Sequence, residues 1–177
     1  MKITRQLGLR PGETGMVVLA FLYFFFLLAS YYVIRPVRDE MAIQAGLEQL
    51  QWLFTATFLA MLAFVPLFGY VSARFPRRVL VPLVYLFFAV GLMIFLACFS
   101  LLEDISWAAR IFYVWVSVYN LFVVSVFWSF VSDIFRREQG KRLFGLIAAG
   151  GSLGAVTGPT LAAWLAQVLG VASLLLV

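Results

Sequence analysis

Apolar residues fall along this chain in long blocks separated by short polar stretches, which is the pattern of membrane-spanning helices. The blocks are Met16 to Ile34, Trp52 to Val71, Val79 to Leu102, Trp107 to Val131 (with Arg110 near its start) and Leu143 to Val168. Each comes close to the roughly 20 apolar residues that a helix needs to cross the hydrocarbon core. A sixth block, ASLLLV, opens after Gly170, and residues 170–177 are too few to complete a crossing. The expectation is an all-α bundle of six helices with the last cut short, preceded by a tail over residues 1–15. On this reading the chain is the front part of a longer protein or a truncated product. The first block is not a cleaved signal peptide, because its apolar core is too long and YYVIRPVR after it has no small-residue cleavage site.

Composition sharpens the class. Of 177 residues, 64% are hydrophobic and 12% are charged, with a mean hydropathy of +1.04. A soluble domain carries about 25% charged residues, so this surface faces lipid. With no histidine, catalysis by imidazole and histidine-ligated metals are excluded. The single cysteine, Cys98, lies in an apolar run and forms no internal disulfide. No metal site and no cofactor are expected.

The net charge of +5 follows topology instead of nucleic-acid binding. If the N-terminus is cytoplasmic, one side holds Lys2, Arg5, Arg10, Arg74, Arg77, Arg78, Arg136, Arg137, Lys141 and Arg142. The other holds Arg35, Arg38 and Arg110. That asymmetry is the positive-inside signal. Carboxylates run the other way: Asp39, Glu40, Glu48, Glu103 and Asp104 lie outside, against Glu13, Asp133 and Glu138 inside. Trp52, Trp107 and Trp164 fall where their segments would meet the outer interface, as belt aromatics do. The many phenylalanines read as lipid-facing filler.

Three stretches carry motifs. GYVSARFPRRV, Gly69 to Val79, makes a tight basic turn in which Gly69 permits close helix contact and Arg74, Arg77 and Arg78 reach helix-end carbonyls and phosphates. It resembles the Gly-x-x-x-Asp-Arg-x-Gly-Arg-Arg loop of major facilitator transporters, with Ala73 and Pro76 in place of the aspartate and second glycine. A positive-inside loop with no further role remains the alternative. In the fifth block, Gly150, Gly154 and Gly158 recur on one helix face, so two backbones can approach closely. Pro159 then frees a carbonyl and invites a bend. The Gly-x-x-x-Gly-Pro portion is similar to a motif of antiporter-type facilitators, and plain helix packing is the competing account.

FWSFVSDIFRREQGKRLFG, Phe127 to Gly145, resembles the bacterial and plastid ATP:ADP antiporter family. The matching residues are Phe127, Trp128, Phe130, Gly140, Lys141 and Arg142. The end of the first block fits the same family through Tyr31, Ile34, Arg35, Arg38 and Asp39, with Arg38 where that family has a lysine implicated in nucleotide recognition. Ser117 stands where the family tends to have a carboxylate. The resemblance implies a multi-pass protein of the bacterial inner membrane, built from two inverted three-helix repeats. It also implies a missing C-terminal half and a nucleotide or other organic anion as cargo.

The candidate substrate-binding residues are therefore Arg35, Arg38, Asp39, Tyr31, Ser117 and Asn120. Arg35 and Asp39 are spaced to pair on a continuing helix. Two guanidinium forks on one face would suit phosphates or carboxylates. The plainer account makes these arginines interfacial anchors that snorkel to headgroups, and Ser117 and Asn120 interhelical hydrogen-bonding groups. Gate candidates are Gly69, Arg74, Arg77, Arg78, Asp133, Lys141 and Arg142. A secondary transporter working by alternating access is the expected function. A non-transporting membrane anchor or assembly module, and a facilitator for an unrelated solute, are the alternatives. An enzyme is not expected, since little is present to build a nucleophile and base.

Overall fold

A computed structural model describes residues 10, 12–44, 46–102, 104–169 and 174. Among the described residues five helices follow one another: α1 (Thr14–Gln44), α2 (Leu50–Arg74), α3 (Arg77–Leu101), α4 (Ser106–Ile134) and α5 (Arg137–Leu169), with a 3-10 turn at Leu47–Gln49 before α2. All five are long and apolar enough to cross a membrane. The sixth span lies outside the described residues apart from Leu174, whose side chain is buried in the same core. Lys2, Arg5 and Glu103 also lie outside them.

The helices outrun the apolar blocks. α1 does not stop at Ile34 but continues through Pro36 to Gln44. The charged residues there sustain the helix, because Arg35 and Asp39 pair across one turn at 3.8 Å. Gly46, with φ of 98°, then reverses the chain in a conformation that other residues rarely adopt. α5 likewise runs on past Pro159 to Leu169.

α4 sits at the centre. Phe112, Val116, Val123, Val126, Phe127 and Val131 on it are fully buried, and it packs against α1, α2 and α3. Aromatic rings fill the centre: Phe24 stacks on Phe127 at 4.3 Å, and Phe88 meets Tyr119 edge-on at 5.0 Å. The phenylalanines therefore divide into two sets. Phe26, Phe54, Phe58 and Phe87 are exposed as lipid-facing residues should be, whereas Phe24, Phe88, Phe112 and Phe127 are core.

The tightest interface is α1 on α5, and glycines make it. A methyl group on Gly150, Gly154 or Gly158 would strike the carbonyl oxygens of Phe21, Phe25 and Ala29 respectively. This is the close backbone approach that a small-residue stripe allows. Gly69 behaves differently, since nothing lies within 4 Å of where its Cβ would stand. The expected close helix contact at Gly69 is absent among the described residues.

Candidate functional site

The two ends of the bundle carry different chemistry. At the end shared by the C-termini of α1 and α3 and the N-termini of α2 and α4, Trp52 and Trp107 are exposed. Arg35, Arg38 and Asp39 occupy the last turns of α1 at this end. Their fates diverge. Arg35 remains half exposed, with its guanidinium 5.5 Å from the ring of Tyr32 on its own helix. Arg38 turns inward: its side chain is 15% exposed, and its guanidinium lies 5.0 Å from the Tyr113 ring of α4. Asp39 accepts bonds from Arg38 Nε at 3.0 Å and from the terminal nitrogen at 2.7 Å. Adjacent residues on a helix do not share a face, so Asp39 reaches round to Arg38 while its own side chain stays half exposed.

Below Arg38 runs a column of tyrosines between α1, α3 and α4. Tyr31 is buried beside Tyr119, their rings 6.4 Å apart. Deeper, the Tyr23 and Tyr85 hydroxyls share a hydrogen bond of 2.6 Å. Nothing in the linear pattern marked Tyr23, Tyr85, Tyr113 or Tyr119, because a tyrosine inside an apolar block is indistinguishable from a lipid-facing one until its neighbours are known.

The α4 candidates are placed less suggestively. Ser117 is buried and donates to the Tyr113 carbonyl one turn back, so its hydroxyl is already satisfied within its helix. Asn120 is half-buried one turn further along. A groove of about 860 Å³ opens elsewhere, between α2, α3 and α4. Leu53, Phe64, Phe68, Val84, Phe88 and Trp115 are among its walls, and Arg110 stands at its rim. Arg110 lies 4.9 Å from the Trp107 ring, and its Nε is buried without a hydrogen-bond partner among the described residues.

The basic end gathers the gate candidates into two groups. In one, Arg77 at the start of α3 donates to Asp133 near the end of α4 at 3.0 Å and also to the Ser72 hydroxyl. Arg74 sits over the Tyr70 ring and bonds its hydroxyl. Arg78 is exposed. In the other group, Arg142 on α5 reaches Glu13 at the foot of α1 with N···O distances of 3.1 and 3.2 Å. Gln139 donates to the same carboxylate at 3.0 Å, and Glu13 accepts the Arg10 backbone amide at 3.0 Å. These bonds, the Arg10 amide first, hold the Glu13 carboxyl below the usual carboxylate range. Lys141 is exposed. Glu13 enters the linear reading only as an inner-side carboxylate; its partner Arg142 lies too far along the chain for any spacing to mark the pair.

The Phe-Trp-x-Phe residues face inward. Phe127 is fully buried against Phe24, and Trp128 packs edge-on against Phe24 and Phe144. That part of the motif is core packing.

Compared with known families, residues 3–177 match the sequence model of the Major Facilitator Superfamily. The match is to the superfamily as a whole. No curated protein and no solved structure matches the chain.

Proposed function

The chain belongs to the Major Facilitator Superfamily, so it is a multi-pass membrane protein of the secondary-transporter class, and from that premise we propose that it carries an organic anion. A nucleotide is the first candidate cargo. Arg38 supports this reading, because its side chain is largely buried and its guanidinium lies against Tyr113, as that of a recognition group would. A charge taken out of water is costly, so a sequestered one has a partner or a task. Asp39 is the resting partner, and an incoming phosphate or carboxylate would compete for the same fork. Arg35 takes the anchor role, half exposed at the helix end.

In this proposal the five helices, with a sixth, form one rocking bundle of an alternating-access pair. The basic end faces the cytoplasm of a bacterial inner membrane, and its Arg77–Asp133 contact belongs to the gate. The test is counterflow of labelled nucleotides into proteoliposomes. Arg38→Ala should abolish uptake with insertion intact, and Arg35→Ala should retain most of it. Unchanged uptake in the Arg38 variant would leave that arginine a structural anchor.

A further inference from the structure

Between the foot of α1 and the start of α5 lies a small polar cavity of about 160 Å³, lined by Arg10, Arg136, Glu138, Gln139 and Arg142. It is separate from the Arg38 site, which lies at the opposite end of α1. We propose that this cavity binds a phosphate group.

Arg142 is paired with Glu13, and so serves to close the wall of the cavity. Arg10 and Arg136 are held differently. Their backbone amides are pinned, Arg10 by the Glu13 carboxylate at 3.0 Å and Arg136 by the Gln139 side-chain oxygen at 3.0 Å. Yet among the described residues neither guanidinium has an ion-pair or ring-stacking partner. Arg10 and Arg136, each with its backbone amide held, thus line one small polar cavity. Guanidinium forks match phosphate oxygens in geometry and charge.

Two further features favour an anion. The cavity sits at the first turn of α5, where the first amides of a helix have no intrahelical acceptor and the helix dipole is positive. Arg137 and Lys141 add positive charge on the same two turns. One carboxylate opposes them, Glu138, which also lines the cavity. Arg10 and Arg136 still outnumber that one carboxylate in the lining.

A phosphate here would bridge α1 and α5 beside the Glu13 clasp. It could come from a phospholipid headgroup, since the cavity lies at the ends of the spans, or from a free phosphate in solution. The experiment separates these sources. The full chain is reconstituted in vesicles of phosphatidylcholine with increasing phosphatidylglycerol, and retained lipid is counted by mass spectrometry. In a second arm, the chain in maltoside micelles, which carry no phosphate, is titrated with inorganic phosphate while thermal stability is followed.

Each arginine removed should weaken the response roughly fivefold, about the contribution of one basic residue near a charged headgroup. Arg10→Gln with Arg136→Gln should thus lose nearly all of it. Glu138→Gln removes the opposing carboxylate and should strengthen binding, which guards against a variant that merely folds poorly. A response in the lipid arm identifies a headgroup, and one in the phosphate arm identifies a soluble ligand. No response in either arm, or equal responses from the wild type and the double arginine variant, would overturn the proposal.

Discussion

Arg77 Nε lies 3.0 Å from Asp133 Oδ2, which joins the turn between α2 and α3 to the end of α4. The loop motif of major facilitator transporters carries its own aspartate, and Ala73 occupies that place here. The carboxylate that meets the loop arginine comes from α4 instead. Both side chains are partly exposed, so the pair is worth only about 0.2–1 kcal/mol to stability. We expect a double-mutant cycle of Arg77→Ala and Asp133→Asn to give a coupling in that range, measured by unfolding in mixed micelles. Transport should fall far more than stability does. A coupling well above that range would make the contact structural and argue against a gate.

The glycine stripe makes a sharper forecast. Gly154→Val places carbon against the Phe25 carbonyl, and such overpacking costs about 1–3 kcal/mol. Gly69→Ala meets open space and should be neutral or stabilise by up to about 1 kcal/mol, as expected when a helical glycine gains a methyl group. Equal destabilisation of the two variants in the same unfolding assay would refute the assignment of α1–α5 as the close interface.

Acid should loosen the foot of the bundle. Glu13 is held below its ordinary pKa of 4.5 by the Arg10 amide, Gln139 and Arg142. A carboxyl with a depressed folded-state pKa stabilises the fold above its unfolded value, and that contribution is lost as pH falls through the folded value. Wild type should therefore outlast Glu13→Gln in thermal melts near pH 7, with the gap closing below about pH 4.5. A gap independent of pH across that window would mean that the charge of Glu13 is not what matters.

The tyrosine pair is the last test. Tyr85→Phe leaves the Tyr23 hydroxyl, now 2.6 Å from its partner, without that bond. Interhelical hydrogen bonds in membrane proteins average about 0.6 kcal/mol, with a maximum near 1.7. A loss in that range is expected, and Tyr23→Phe added to Tyr85→Phe should cost little more. Additive losses would show that the two hydroxyls act independently.

The membrane class, the five spans and the four-residue glycine period of Gly150, Gly154 and Gly158 could all be read from the chain. Each depends on a local property: the length of an apolar run, or a four-residue period that one helix converts into a face. The apolar block ends at Ile34, yet the helix continues to Gln44, with Arg35 and Asp39 pairing along it as their spacing allows. The two arginines of that turn are chemically alike in the sequence. Tyr113, on a helix far along the chain, is what draws Arg38 inward while Arg35 stays at the surface. Glu13 with Arg142, and Tyr23 with Tyr85, are likewise contacts between distant helices. Hydropathy is written one residue at a time and survives in the bare sequence. The partner of a charge or hydroxyl is a matter of which helices lie side by side, and that arises only when α4 packs among its neighbours and α1 closes on α5.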